Sequence, residues 1–185
     1  CVREGRHSQG NEAAGPLRLD VPDEYERANL RWWPKYVTES VADWPREPKL
    51  LFIAGTIGSG KTALCWALAK ELARRRKPVL MLDASTMREL WLADVRRRQT
   101  DMRSHPVEEI WIAAPYLILD SLHEGQATEG WSECLHRIVS QRLQHLRPTV
   151  CTSAMTGKQL AGKYGSIGPS LRSRLLMFAQ VELPD

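Results

Sequence analysis

The chain alternates short runs of uninterrupted apolar residues with longer stretches in which apolar positions recur every three or four residues. LLFIA (50–54), VLMLD (79–83) and YLILD (116–120) belong to the first kind. A strand covered on both faces reads this way because neither side of it meets water. PTVCTSA (148–154) and MFAQVEL (177–183) supply a fourth and a fifth strand, the fourth with a polar tip. Between strands, residues 61–77 place Leu64, Leu68 and Leu72 on one helical stripe with Cys65 and Ala69 beside it. Residues 128–146 do the same with Trp131, Leu135, Ile138 and Leu146. Thr86 and Glu89 have capping-box spacing and predict another helix start, with Met87, Leu90, Trp91 and Val95 along one side. Ahead of the first strand, Tyr25, Leu30, Trp33 and Val37 predict a short helical packing segment that Pro34 breaks or bends. Strands and helices alternating at this rhythm predict an α/β fold, a five-stranded mostly parallel sheet flanked by helices. Ligands of such sheets bind beyond the carboxyl ends of the strands.

Composition narrows the class without choosing within it. A chain of 185 residues, 43% hydrophobic and 26% charged, suits one buried core. Its longest strongly apolar stretch, residues 111–119, is interrupted by Pro115 and is far shorter than the roughly 20 residues of a membrane span. The first 15 residues contain no apolar core of a secretory signal, which predicts a cytoplasmic protein. Cys1, Cys65, Cys134 and Cys151 form no CxxC pair and are expected to be buried thiols in a reducing compartment. A net charge of +4 permits an anionic partner but does not identify one.

The sharpest motif is GTIGSGKT at residues 55–62, which fits G-x-x-x-x-G-K-[ST] and sits between a buried strand and an amphipathic helix. Gly55, Thr56, Ile57, Gly58, Ser59, Gly60, Lys61, Thr62 and Ala63 are therefore the expected contacts of ATP or ADP. Glycines are required because the backbone must turn its N–H groups toward phosphate oxygens through dihedrals that a Cβ resists. Lys61 supplies a positive charge for the β- and γ-phosphates, and Thr62 a hydroxyl for Mg²⁺. The acidic partner of that ion is expected at Asp120, which ends an apolar strand; Asp83, ending another, is the competitor.

Five features in order resemble the helicase-loader ATPases of the DnaC, DnaI and IstB group within the AAA+ class. They are VPDEYERANL, GTIGSGKT, YLILD, PTVCTSA followed by a helix with Leu160 and Ala161, and SLRSRL at 170–175. The resemblance spans about residues 21–184 and implies an AAA+ core over 21–185, with the helical lid expected to be absent or truncated; residues 1–20, rich in Gly, Asn, Glu and Ser without apolar periodicity, are expected to form a flexible arm. It also implies a homo-oligomer in the ATP state, with Asp120 as the Walker B acid and Arg174 reaching a neighbouring subunit's nucleotide; Arg172 is the alternative. A replicative helicase or other replication protein, and single-stranded DNA, are the partners it implies.

Two positions depart from that pattern. The acidic residue that usually follows the Walker B aspartate is Ser121 here, and the strand tip that usually ends in Asn reads Thr152, Ser153, Ala154. Binding groups are kept whereas two hydrolysis groups are missing, which predicts slow turnover; Glu124 is the candidate to stand in for the missing acid. Arg96, Arg97, Arg98, Arg103, Lys158 and Lys163 are candidates for a single-stranded DNA path, with Tyr164 as a stacking partner. Trp66, Trp91 and Trp131 are expected in the core, and no metal beyond Mg²⁺ is expected. An IstB-like transposition helper and a P-loop small-molecule kinase, the latter prompted by Asp83, are the alternative functions.

Overall fold

The computed structural model describes residues 19–43, 50–100, 106–177 and 179–183. The expected arm over 1–20, apart from its last two residues, lies outside this set, as do Cys1 and Arg103. Five strands, β1 (Leu50–Ala54), β2 (Val79–Asp83), β3 (Tyr116–Asp120), β4 (Thr149–Ser153) and β5 (Ala179–Glu182), form one sheet in the order β2-β3-β4-β1-β5. Every pairing is parallel, so all five carboxyl ends lie along one edge. Helix α1 spans Lys35–Asp43, α2 Lys61–Arg74, α3 Ala84–Thr100, α4 Val107–Ala113, α5 Glu129–Gln144, α6 Gly157–Lys163 and α7 Gly168–Leu175.

Side chains alternate across the strands and build a core on each face. Leu51, Ile53, Ile118, Val150 and Val181 meet Leu64, Leu68 and Leu72 of α2. Leu50, Phe52, Leu117, Leu119 and Cys151 point the other way, against Trp131, Leu135 and Ile138 of α5 and Leu160, Leu171 and Leu175 of α6 and α7. Each fully buried Leu or Ile contributes about 1.5–3 kcal/mol of transfer free energy, so α2 is clamped by its whole apolar stripe. That clamp matters because the first turn of α2 forms part of the site.

Four sequence expectations are corrected. Residues 21–37 form no single helix: Asp23–Tyr25 and Leu30–Trp32 are isolated 3₁₀ turns, and Pro34 precedes α1, its carbonyl accepting from Val37 N at 3.0 Å. Proline fits at a helix start, where its missing N–H has no carbonyl to find. Helix α3 begins at Ala84 rather than at Thr86, because Asp83 Oδ1 accepts from Thr86 N at 2.8 Å and from Ser85 Oγ at 2.5 Å and so performs the capping itself. Tyr164, expected as a stacking platform, is buried, and its hydroxyl donates to Leu122 O at 2.8 Å. Trp131 is buried as expected, but Trp66 and Trp91 are only partly so. Trp66 stacks on Tyr25, and Trp91 donates Nε1–H to Glu108 at 3.0 Å.

At the opposite end of the sheet from the carboxyl edge, the Arg142 guanidinium is completely buried. It donates to Trp111 O, Ile112 O and Ala114 O around the end of α4, to Pro148 O, and to Thr149 Oγ1, at 2.7–3.1 Å. No carboxylate faces it among these partners; carbonyls at a helix carboxyl terminus, which carry partial negative charge, take that part. Burial lowers its pKa to about 10, and Arg147 nearby adds to the effect. Among the described residues, no helix is long and apolar enough to cross a membrane.

Candidate functional site

Between β1 and α2 the chain turns sharply through residues 55–60. Gly58 and Gly60 have φ of 89° and 86°, in the left-handed region that side chains resist. Helix α2 then starts at Lys61, and the amides of its first turn have no carbonyl partner within the helix. The same residues border a cavity of about 320 Å³ lined by Ile57, Gly58, Gly60, Lys61, Thr62 and Ala63, and by Ser121, His123 and Glu124, with Tyr25. Its volume is at the low end of that of ordinary small-molecule sites.

Lys61 folds over its own loop, its ammonium donating to Gly55 O at 2.8 Å and Thr56 O at 2.6 Å, with Ser59 Oγ at 3.4 Å. Burial lowers its pKa, against an opposing pull from Asp120. The cation is thus parked at the cavity on weak neutral acceptors, ready to exchange them for anionic oxygens. Thr62 Oγ1 donates to Asp120 Oδ2 at 2.7 Å, so the two residues expected on Mg²⁺ are already together. Strand β4, which lies between β1 and β3, locks the pair: Thr152 Oγ1 donates to Asp120 Oδ1 and accepts from Ser121 N at 2.9 Å. Ser121 itself has φ of 57°, a left-handed backbone held by that bond.

The donor set fits a magnesium nucleotide. A hydroxyl and a carboxylate, both hard oxygens, meet beside a left-handed glycine loop and an ammonium group. Among the described residues, no three His, Cys, Asp or Glu residues cluster as a metal cage. Mg²⁺ is usually held by one or two protein oxygens together with phosphates and water, the part that Thr62 and Asp120 would take. Asp120→Asn is expected to weaken Mg²⁺-dependent ATP binding about ten- to a hundredfold while changing Mg²⁺-free binding little. Titrating nucleotide with and without EDTA checks this.

The remaining candidates are spread out. Glu124 lines the cavity, on a turn rather than a helix, with its side chain about half exposed. Asp83 pairs in register with Asp120 across β2 and β3, yet its carboxylate serves the α3 cap and is not part of the cavity lining. Arg174 lies away from the cavity on α7, where Nε donates to His136 Nε2 at 3.1 Å. Burial and then Arg174 lower the pKa of His136, which suits an imidazole nitrogen that accepts. Arg172 faces elsewhere, into a separate hollow of about 390 Å³ with Lys158 and Glu182. Neither arginine can serve the cavity of its own chain in this arrangement. Arg97 and Arg98 are paired with Asp94, and Lys163 donates to His123 O and Glu124 O, so three of the basic DNA-path candidates are engaged within the chain.

Sequence reasoning passed over His123 and Tyr25 as cavity residues. A polar residue three positions past Asp120, at a strand's carboxyl end, was the signal available for His123. Nothing local marks Tyr25, which is brought to the cavity as the turns Asp23–Tyr25 and Leu30–Trp32 pack against α2 and Tyr25 stacks on Trp66.

A family model described as Zeta toxin matches residues 36–109, less than half of the chain. No curated protein matches it. Among solved structures, it is similar to the replication initiator DnaA bound to AMPPCP and single-stranded DNA, with TM-score 0.72 and 16% identity over 86% of this chain and 50% of that one. It is similar to domain III of the Thermotoga maritima replication initiation protein DnaA, with TM-score 0.71 and 16% identity over 90% of this chain and 69% of that one. To the DnaC helicase loader it is similar with TM-score 0.70 and 18% identity over 88% of this chain and all of that one. The chain spans about half the length of the solved chains that head these matches. At such identities the likeness speaks for the fold, which here is an α/β P-loop NTPase fold with an AAA+-like core, a five-stranded parallel sheet flanked by helices.

Proposed function

We propose that this chain is a nucleotide-dependent switch of the helicase-loader kind, binding ATP with Mg²⁺ and hydrolysing the ATP slowly. The observation that carries the reading is the pairing of Thr62 with Asp120 at 2.7 Å beside Lys61, while Ser121 and Ala154 stand where hydrolysis would want an acid and an amide. Bound Mg²⁺ would draw the terminal phosphates together and offset their charge. The protein's own part is to wrap the phosphates with the amides of the 55–63 loop, neutralise them through Lys61, and hold Thr62 and Asp120 at the ion. Slow hydrolysis lets occupancy rather than turnover carry the signal.

In this reading Arg174 meets the γ-phosphate held by an adjoining copy, after exchanging His136 for two parallel hydrogen bonds to the phosphate. Partners are then a replicative helicase or another replication protein, with single-stranded DNA reached through exposed groups such as Arg96 and Lys158. Support for the DNA contact is the similarity in fold to a DnaA structure that holds single-stranded DNA. An IstB-like helper would prefer duplex instead.

A second reading, a P-loop kinase for a small molecule, is favoured by the Zeta toxin match over residues 36–109, a segment that contains the P-loop and Asp83. One experiment separates the readings: ATP binding and phosphate release measured together, with and without single-stranded and duplex DNA. The switch predicts clear binding and turnover well below one per second. Several turnovers per second by the isolated chain would refute it, and transfer of phosphate to an added acceptor would support the kinase.

A further inference from the structure

His123 lines the cavity beside Ser121 and Glu124, and its ring is tied to the chain just beyond β4. The backbone N–H of Ala154 donates to its Nδ1 at 3.1 Å. A nitrogen that accepts carries no proton, so in the neutral ring the proton resides on Nε2. Burial, with Lys61 and Lys163 acting the same way, lowers the His123 pKa against opposing effects of Glu124 and Asp120, which keeps the ring neutral at physiological pH. The imidazole therefore bridges the segments just beyond β3 and β4, and its Nε2 is not used in that bridge.

Three further contacts fix the turn that carries it. Leu122 N donates to Thr152 O at 2.8 Å, Tyr164 Oη to Leu122 O at 2.8 Å, and Lys163 Nζ to Glu124 O at 2.8 Å. Glu124 Oε1 stands 3.9 Å from His123 Nε2, too far to take up its proton in a hydrogen bond. The side chain is only 16% exposed, yet it lines the same cavity as Lys61, Thr62 and Ala63. Thr62 and Asp120 would hold the ion of a magnesium nucleotide, and His123, three residues beyond Asp120, lines the same cavity.

We propose that His123 presents its Nε2–H to the terminal phosphate of a bound nucleoside triphosphate, supplying from the turn after β3 the polar contact that Ala154 does not provide. The inference rests on the reading of the cavity as a triphosphate site. It assigns the chain a means of telling ATP from ADP, since a diphosphate leaves this donor unmatched. A neutral donor to an anionic oxygen is a charge-assisted hydrogen bond, the stronger class.

The test is the affinity of Mg²⁺–AMPPCP and Mg²⁺–ADP for the whole chain and for His123→Ala and His123→Gln, by calorimetry. In His123→Ala the triphosphate analogue should bind about ten- to a hundredfold more weakly, with ADP affinity changed less than about twofold. Retained ADP binding also shows that the variant is folded. His123→Gln keeps an N–H donor and should recover most of the loss. Equal loss for both nucleotides, or no loss for either, overturns the role of His123 while leaving the nucleotide site standing. Failure of the unaltered chain to bind either nucleotide overturns the site, and this inference with it.

Discussion

Replacing Lys61 by Ala should abolish measurable binding of Mg²⁺–ATP, lowering affinity by on the order of a hundredfold or more. The size follows from what the ammonium does in each state. Without nucleotide it donates to the carbonyls of Gly55 and Thr56, neutral acceptors that water can replace in the variant at little cost. With nucleotide it is, among the described residues, the one lysine lining the cavity against a polyanion, so its loss leaves uncompensated negative charge in a partly enclosed space. Thermal unfolding without ligand should therefore shift little, while the stabilisation conferred by Mg²⁺–ATP should vanish. Calorimetry and ligand-dependent melting read the two effects separately. Undiminished affinity in the variant would mean that phosphates are held elsewhere.

Arg142→Met is expected to be the most damaging change outside the site, costing about 3–5 kcal/mol of stability. The guanidinium spans α5, the end of α4 and the start of β4, and a thioether leaves the carbonyls of Trp111, Ala114 and Pro148 buried without its donors. For a domain of this size the melting temperature should fall by roughly 10 °C. Arg142→Lys should lie between, since a single ammonium offers three donors where five acceptors converge. Because Arg142 sits at the amino-terminal end of the sheet, variants that remain folded should bind Mg²⁺–ATP normally. Chemical unfolding by urea at fixed pH reads the loss, and an unchanged midpoint would show that water reaches these carbonyls.

Much of the fold could be read beforehand, and for identifiable reasons. LLFIA, VLMLD and YLILD are covered on both faces of a parallel sheet or lie next to strands that are, which leaves a continuous apolar signal that needs no partner information. GTIGSGKT is equally local, because backbone turns toward phosphate impose residue types at fixed spacing. Asp120 is expected at the site from its place at a strand end, and the structure puts it within hydrogen-bonding distance of Thr62, 58 positions earlier.

What escaped the sequence depended on competition or on distant partners. Thr86 and Glu89 have the spacing of a cap, but Asp83 reaches Thr86 N first, and no local pattern says which will win. Helix α4 is seven residues long and runs through Pro115 into β3, so its apolar positions merge with those of the strand. Lys163 and Tyr164 look like a basic residue beside an aromatic, as nucleic-acid surfaces have, until Leu122, His123 and Glu124 fold against them. His123 was overlooked for the same reason: its orientation is set by an amide 31 residues later.

The central claim is that residues 55–63, with Asp120, hold a magnesium nucleotide. Calorimetric titration of the purified chain with ATP, in magnesium and then in EDTA, tests it most directly. The account predicts one saturable site per chain that is weakened when the ion is removed. Absence of heat at millimolar Mg²⁺–ATP, together with an unmoved melting temperature, would contradict it.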